Sequence, residues 1–262
     1  MNIKCQICNN ESNLITLYTY GSADKYEKWM GIEDVNRCWL MCMRCGFHFQ
    51  IRNYDIKKLE KIYKYGYRQK GFRTETIEEA FERIRNTEDN ENESRYIWFG
   101  MHIKYEESKN VLDIGSGIGV WPEILTRTGF NVDCVEENEL SIDFIYEKLG
   151  LKCFNGIDNV LGEYDVISLI HVLEHIEKPV VFLKKIKKLL REGGKIFVEV
   201  PDASEFKYLE KDHDEFNSCH VVFYDMGNLF RILKFAGYHV TDMHIEKTKQ
   251  RNLTRIMCLA VN

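Results

Sequence analysis

The sequence predicts an α/β fold with a mostly parallel sheet, and three observations support this prediction. Short apolar runs alternate with helical patterns through residues 110–262. Glycine or proline marks several of the junctions between them. The first apolar run leads into a glycine-rich loop that opens a helix. Strands that alternate with helices in this way form sheets that are covered on both faces.

The elements follow from these patterns in order. Pro122 falls in the first turn of a predicted helix, where its missing N–H costs little, and Gly150 and Gly237 stand where two others should end. A short polar turn separates the last two strands, which is compatible with antiparallel pairing between them. The predicted strands are 111–114, 132–135, 164–170, 195–200, 238–245 and 254–261, and the predicted helices are 120–128, 140–149, 180–190 and 225–235.

Composition bounds the class of protein. The chain has 262 residues, 44% of them hydrophobic and 29% charged, with a formal net charge of -5. This length suits one large domain and a small one, and the negative charge argues against a long nucleic acid as partner. No apolar run reaches the ~20 residues of a membrane span, and no secretory h-region is visible. We therefore expect a cytoplasmic protein without membrane insertion, whose oligomeric state stays open.

Three regions differ in pattern. Residues 1–50 hold five of the nine cysteines. Residues 51–108 are charged, with Ile56, Leu59 and Ile62 at helical spacing, and predict a helical connector or substrate lid. Residues 109–262 carry the α/β pattern.

Four cysteines of the first region form two Cys-x-x-Cys pairs, and cytosolic thiols are not expected to form disulfides. A two-residue gap lets both thiolates of a pair face one tetrahedral ion, so the pattern predicts a structural, ribbon-like zinc site. Cys38 is a spare candidate, and the remaining cysteines lie in apolar contexts typical of a core. The predicted zinc ligands are Cys5, Cys8, Cys42 and Cys45.

The glycine-rich loop runs from Asp113 to Gly119 as DIGSGIG. Glycines let a backbone turn sharply and approach a ligand, and ligands of open α/β sheets bind beyond the carboxyl ends of strands. The dinucleotide fingerprint needs glycine or alanine where this chain has Val120, so that match fails. The loop instead resembles the D/E-x-G-x-G-x-G pattern of class I methyltransferases. Glu136 then stands where a second acid should receive ribose hydroxyls.

Downstream motifs extend the resemblance. The runs HVLEHIEKP at 171–179, LLREGGK at 189–195, FVEVPD at 197–202 and HVVF at 220–223 resemble the "HVLEH" series of small-molecule S-adenosylmethionine-dependent methyltransferases. Some of these carry a cysteine-rich zinc domain before the core. The resemblance implies a seven-stranded Rossmann-like sheet with an antiparallel last strand. It also implies that S-adenosylmethionine binds over strands one, two and four. The implied cofactor residues are Asp113, Gly115, Ser116, Gly117, Gly119, Glu136, Asp158 and His171.

Histidines are the candidate catalytic groups. The sulfonium is already activated, so the protein has to align an acceptor and remove its proton. His171, His175 and His220 are the candidate bases, and the competing interpretation is that each braces its loop. Related quinone O-methyltransferases hold a divalent metal with a Glu-x-x-Glu-His segment, where this chain has His171 in place of the first Glu, so a metal at the acceptor site is open. The inverted zinc-protease motif, which 171–175 also spells, requires a helix and is disfavoured here.

The function predicted is methylation of a small polar, sugar-like acceptor, by O-methylation of a sugar, a sugar nucleotide or another cell-envelope or polysaccharide precursor. The alternatives are a zinc-containing RNA methyltransferase, which the acidic charge disfavours, a sugar C-methyltransferase, and a non-catalytic scaffold. A clean Tyr/His signature of sugar C-methyltransferases is not visible in the sequence.

Overall fold

The computed structural model describes residues 3–66, 74–86, 91–106, 109–248 and 253–262. The strands are β1 (Leu14–Tyr20), β2 (Arg37–Cys42), β3 (His48–Arg52), β4 (Asn110–Ile114), β5 (Asn131–Glu136), β6 (Lys152–Asn155), β7 (Tyr164–Ile170), β8 (Leu190–Pro201), β9 (Val222–Phe223), β10 (His239–Lys247) and β11 (Thr254–Val261). The α-helices are α1 (Lys25–Trp29), α2 (Lys57–Lys61), α3 (Ile77–Asn86), α4 (Glu91–His102), α5 (Val120–Arg127), α6 (Glu139–Leu149), α7 (Pro179–Lys187) and α8 (Met226–Phe235).

The larger sheet has seven strands in the order β10-β11-β8-β7-β4-β5-β6. Its ladders from β6 to β8 are parallel, whereas β11 runs antiparallel to both β8 and β10. This confirms the predicted mostly parallel, Rossmann-like sheet with an antiparallel last strand.

The larger sheet places its ligand edge where the strand order reverses. The chain passes from β4 outward to β5 and β6, then returns to β7 on the other side of β4. Ligands of open α/β sheets bind at such a switch point, beyond the carboxyl ends of the strands. The segments that leave β4, β5 and β7 at this edge carry the glycine loop, Glu136 and His171.

The smaller sheet combines the N-terminal region with a strand from the core. Its order is β1-β2-β3-β9, and every pairing is antiparallel. Sequence patterns did not predict β1 to β3, because most side chains of β1 are exposed or half-buried and give no clear apolar alternation. The boundary predicted at residue 50 falls inside β3.

The described residues of the connector include the helices α2, α3 and α4. After α2 the chain forms one π-helical turn (Ile62–Gly66), a feature that often marks functional sites. Phe81 of α3 packs on Phe144 of α6, and Phe99 of α4 meets Phe197 of β8 edge to face. The acidic stretch 87–94, predicted as a loop or helix end, lies partly outside the described residues, and α4 already begins at Glu91.

Candidate functional site

The loop after β4 turns through three glycines with left-handed backbone, Gly115 (φ 74°), Gly117 (φ 57°) and Gly119 (φ 81°). Residues with a Cβ adopt this region only at a steric cost. The amides of Gly115 and Ser116 donate to the Val135 carbonyl at 2.8 and 3.1 Å. The loop is therefore folded back against the end of β5.

The three glycines differ in what surrounds them. A Cβ on Gly115 would lie 2.6 Å from Val172 Cγ2, and one on Gly119 would lie 2.6 Å from Leu149 Cδ1. A Cβ on Gly117 would meet nothing within 4 Å. Gly119 thus permits close packing of α5 against α6, whereas Gly117 borders open space.

Glu136 joins the glycine loop to the start of α6. Its Oε2 accepts the Gly117 amide at 2.8 Å, and its Oε1 accepts the amides of Glu137 and Asn138 at 2.9 and 3.0 Å. Burial raises the pKa of Glu136, and these amide donors oppose the shift. Because Oε2 accepts a single amide, it retains a lone pair that a ribose hydroxyl can use.

A cleft of about 480 Å³ opens at this edge of the sheet. Gly115, Gly117, Glu136, His171 and His175 line it, so the structure brings these five predicted site residues together. The connector contributes a further wall, consisting of Ile56, Leu59, Glu60 and Tyr63.

Other predicted cofactor residues do not line the cleft. Ser116 is buried, and its hydroxyl donates to the Asp113 carbonyl at 2.9 Å. Asp158 does not line the cleft, because its exposed carboxylate pairs with Lys185 at 2.5 Å. Its neighbour Ile157 lines the cleft instead.

Asp113 supports the loop from below. Its side chain is buried, and Oδ1 accepts the Ser168 hydroxyl at 2.6 Å. Burial raises the pKa of Asp113 to about 7, against the hydrogen bonds from Ser168 and Ser116. The pKa of this carboxyl therefore lies near neutral pH. The carboxyl does not line the cleft.

His171 is held between two buried carboxylates. It is one of two non-glycine residues with positive φ in the described chain (53°). Its Nδ1 lies 3.2 Å from Glu174 Oε1, and its Nε2 lies 3.1 Å from Glu199 Oε1, a charge contact without hydrogen-bond alignment. Burial lowers the pKa of His171, but the two carboxylates outweigh burial and raise it to about 9. A protonated imidazole has no lone pair, so this geometry does not support the prediction of His171 as a base.

Glu199, the second partner of His171, is the centre of a buried ionic cluster. Arg95 donates to it from Nε at 2.7 Å, and Arg255 donates from Nη1 at 3.1 Å. These cations hold the pKa of Glu199 well below its usual range despite burial. His171 is therefore anchored through Glu199 to α4 and β11.

His175 has a defined tautomer. Its Nδ1 lies 3.0 Å from the Cys219 carbonyl, which can only accept, so Nδ1 must carry the proton. The Tyr63 hydroxyl lies 3.0 Å from the same nitrogen and donates to the Cys219 carbonyl at 3.2 Å. Burial lowers the pKa of His175 to about 4, against the nearby Glu174 charge. The neutral ring therefore carries its lone pair on Nε2.

His220 packs beside His175, with ring centroids 4.9 Å apart, but it does not line the cleft. Its Nδ1 donates to the Glu215 carbonyl at 2.7 Å, which leaves the lone pair on Nε2. Burial lowers the pKa of His220. The two rings thus share one tautomer.

A possible metal site follows from this pair. Donor atoms of Glu174, His175 and His220 all lie within 4.8 Å of one another. Glu174 Oε2 is buried without a hydrogen-bond partner in the described chain. One carboxylate and two imidazoles fit zinc, manganese or iron better than magnesium. The segment expected to hold a divalent ion thus offers suitable donors, but with His220 in the set and His171 outside it.

The four predicted zinc ligands converge. All four sulfur atoms lie within 4.8 Å of one another, and the Cys5–Cys45 and Cys8–Cys42 distances are both 3.5 Å. Tetrahedral zinc with Zn–S bonds of about 2.3 Å places sulfurs about 3.8 Å apart. Burial raises the pKa of the Cys42 thiol, but amides of Cys45 and Arg44 help lower it to about 7. The donor set fits zinc, and Cys38 lies outside it.

Sequence reasoning missed the residues that orient the histidines. Tyr63 directly follows Ile62 in the connector and shows only helical spacing, and Glu199 falls inside the predicted strand 195–200. A charged residue inside the apolar run of β8 was a usable signal, because buried carboxylates require partners. The Cys219 carbonyl carries no sequence signal.

Comparisons with known proteins agree with this fold. A family model described as "Methyltransferase domain" matches residues 70–242, more than half of the chain. Among curated proteins, the chain is 28% identical over 120 residues to a ubiquinone biosynthesis O-methyltransferase of Erwinia tasmaniensis, which covers 40% of this chain and 48% of that protein. A namesake from Aeromonas salmonicida is 25% identical over 156 residues, covering 52% and 65%. The chain thus spans about half to two thirds of the length of these relatives.

Two solved structures share the fold. Magnesium protoporphyrin IX methyltransferase of Synechocystis PCC 6803, with bound S-adenosylhomocysteine, has a TM-score of 0.58 at 15% identity, covering 79% of this chain and 100% of that one. The 1,6-didemethyltoxoflavin-N1-methyltransferase of Burkholderia thailandensis has a TM-score of 0.53 at 15% identity, covering 71% and 86%.

Among the residues that the structure describes, no helix has the length and apolar character to cross a lipid bilayer. The family match covers β4 to β9, the glycine loop and the part of the cleft lining that runs from Ile114 to Phe182. The chain belongs to the methyltransferase-domain family.

Proposed function

We propose that this methyltransferase transfers the methyl group to a hydroxyl oxygen of a small, neutral acceptor, with His175 as the proton acceptor. The observation that carries the proposal is the orientation of His175. The Cys219 carbonyl fixes the proton on Nδ1, and the ring lines the same cleft as the glycine loop. A neutral imidazole with a free Nε2 lone pair is suited to remove a hydroxyl proton.

The cofactor half of the cleft is assigned to Gly115, Gly117 and Glu136. Gly117 lets the ligand approach the backbone closely, and Glu136 accepts ribose hydroxyls in charge-assisted hydrogen bonds. When bound, S-adenosylmethionine supplies an electrophilic methyl group on its sulfonium. Residues 56–63 of the connector form one side of the same cleft, which supports their predicted role as a lid.

His175 would accept the hydroxyl proton at Nε2 during methyl transfer, in which the methyl–sulfur bond would break as the methyl–oxygen bond formed, with S-adenosylhomocysteine as the leaving group. The Nδ1 proton stays in its hydrogen bond to the Cys219 carbonyl. The imidazolium that forms is favoured by the buried Glu174 carboxylate, whose charge already acts to raise the pKa of His175. The positions of His171 and Glu199 fit a structural role, because they hold the segment that carries Glu174.

The charge of the cleft argues for a neutral acceptor. Glu60, Glu137 and Glu177 line it beside Glu136, and none of the described lining residues is lysine or arginine. Carboxylates accept hydrogen bonds from hydroxyl groups and repel phosphates. A sugar or another polyhydroxyl compound therefore suits this cleft better than a sugar nucleotide or RNA, and the names of the relatives favour oxygen as the acceptor atom.

Two further assignments belong to the proposal. Zinc on Cys5, Cys8, Cys42 and Cys45 is structural, since four thiolates leave no open coordination position. Thiolate ligands require reduced cysteines, which the cytoplasm maintains, and this supports the cytoplasm as the compartment in which the protein acts. At the acceptor site, a divalent ion on Glu174, His175 and His220 would act as a Lewis acid on the acceptor hydroxyl.

The experiment measures S-adenosylhomocysteine release from wild type, His175→Gln and a matched control, His239→Gln, on the exposed start of β10. The panel contains monosaccharides, sugar nucleotides and catechol. We expect turnover with neutral hydroxyl compounds, a fall of about 10²–10⁴-fold in His175→Gln, and unchanged affinity for S-adenosylhomocysteine by calorimetry. His239→Gln should behave as wild type.

Each other result has a defined meaning. Wild type that binds no S-adenosylhomocysteine would refute the cofactor assignment. Full turnover in His175→Gln would exclude His175 as the base. Activity that EDTA abolishes and manganese restores, at constant zinc content, would make His175 a metal ligand instead.

A further inference from the structure

The loop that orients His175 is held by the N-terminal sheet. Residues 216–223 carry the Cys219 carbonyl and His220, and they end in β9, which pairs with β3. The Gln50 amide of β3 donates to the Val221 carbonyl at 2.9 Å. The loop that orients His175 therefore ends in β9, which is the edge strand of the sheet that contains β1 to β3.

Side chains of the N-terminal region reach further along this loop. Gln50 Nε2 donates to the His220 carbonyl at 3.1 Å, and Arg52 Nη1 donates to the Ser218 carbonyl at 3.1 Å. Asp24 accepts both the amide and the hydroxyl of Ser218, at 2.6 and 3.0 Å. These contacts fix the carbonyls on either side of Cys219.

The same sheet is closed at its other end by the four cysteines. Cys42 ends β2, Cys45 follows in the turn, and β3 begins at His48. The β2–β3 hairpin therefore connects the thiolate cluster to Gln50 and Arg52 within one continuous structure.

We infer that Gln50 and Arg52 are positioning residues that set the orientation of His175 through the Cys219 carbonyl. The N-terminal module is thus part of the acceptor site, and more than a cover over it. This inference rests on the proposed role of His175. Gln50 and Arg52 do not line the cleft, so they act through the loop and not on the ligand.

The test compares Gln50→Leu and Arg52→Met with Gln6→Leu, a matched change at an exposed position of the same module. We expect turnover to fall about tenfold in each of the first two variants, as the loss of a buried hydrogen bond predicts. Affinity for S-adenosylhomocysteine and zinc content should stay unchanged. The double variant Gln50→Leu/His175→Gln should lose no more than His175→Gln alone, because both changes act on one group.

A second measurement does not depend on activity. Imidazole ¹⁵N shifts in the ligand-free protein report which ring nitrogen carries the proton. We expect a single Nδ1–H form of His175 in wild type and Gln6→Leu, and a tautomer mixture in Gln50→Leu and Arg52→Met. Folded variants with the wild-type ¹⁵N pattern and full turnover would overturn the inference. An inactive wild type that keeps the Nδ1–H form, with loss of that form in the variants, would refute the proposed function but leave the positioning role intact.

Discussion

The two halves of the cleft are built in opposite ways. The cofactor half comes from one continuous stretch, in which the glycine loop and Glu136 lie on neighbouring parallel strands. The acceptor half is assembled from Tyr63, the His175 segment and the loop that ends in β9, which are far apart in the chain. Local backbone conformation forms the first half, whereas long-range hydrogen bonds form the second. The two halves should therefore respond differently to the same kind of perturbation.

The largest effect is expected from loss of the thiolate cluster. Cys42→Ser should prevent tight zinc binding, and structural zinc contributes about 10 kcal/mol or more to folding of small zinc domains. We expect the β1–β3 sheet to lose protection in hydrogen exchange and turnover to disappear. S-adenosylhomocysteine should still bind within a few-fold of wild type. Cys38→Ser, outside the cluster, is the control. If Cys42→Ser lost cofactor binding as completely as turnover, the two halves of the cleft would not be separable.

The converse perturbation is Gly115→Ala. Its new Cβ would lie 2.6 Å from Val172 Cγ2, at a φ of +74° that disfavours side chains. We expect affinity for S-adenosylhomocysteine to fall at least ~100-fold, since strain and displacement of Val172 combine. Gly117→Ala, with a φ of +57° in the same loop and nothing within 4 Å, adds backbone strain without the clash, and Gly193→Ala, with a φ of +71° in β8, is the control outside the cleft. Equal affinities of Gly115→Ala and Gly117→Ala would show that contact with Val172 is unimportant. Zinc content should not change in any of these variants.

The predictive reach of the sequence follows the same division. Six of the seven strands and the glycine loop were predictable, because a strand, a tight turn and a helix leave local patterns. The seventh strand, β6, and the role of Glu136 were implied only by the resemblance to class I methyltransferases. The strand 164–170 matches the structure at both ends. The four thiolates were also predictable, since Cys-x-x-Cys spacing encodes its own geometry.

The acceptor half of the cleft has no comparable local sequence pattern. The pairing of β3 with β9 joins residues about 170 positions apart, and no pattern in either segment indicates the partner. The role of His171 depends on Glu199, which belongs to another strand. Three histidines in one motif series therefore looked equivalent in sequence, whereas burial and partners make one a cation and leave the other two neutral.

His171 lies at the boundary between the halves. His171→Ala would leave Glu174 and Glu199 buried with one fewer positive neighbour. Removing one partner of a buried ion pair typically costs about 3–5 kcal/mol, and Arg95 and Arg255 should keep the loss near the lower end. Urea unfolding should show this loss, whereas His175→Gln should cost less stability and more turnover. If the free energy of unfolding of His171→Ala equalled that of wild type, the contacts of His171 with Glu174 and Glu199 would not stabilise the fold.

The last prediction concerns Asp113 and is a dependence on pH. Burial raises its pKa to about 7 from the ordinary aspartate value of 3.8, so the folded state favours the protonated acid. The unfolded state releases this proton first as the pH rises, and stability from this group is therefore lost between about pH 4 and 7. The loss is at most about 1.4 kcal/mol for each pH unit. Asp113→Asn cannot ionise, so its free energy of unfolding relative to wild type should increase across that range and level off above it.

Urea titrations of the ligand-free protein between pH 4.5 and 7.5 measure this difference. Asp143→Asn, on the exposed face of α6, serves as the matched control and should change stability little at every pH. A constant offset between Asp113→Asn and wild type would mean that Asp113 is ionised throughout this range in the folded protein. The carboxyl below the glycine loop would then contribute a fixed negative charge beneath the cofactor half of the cleft. The hydrogen bonds from Ser168 and Ser116 and the charge of Arg95 would then compensate for its burial.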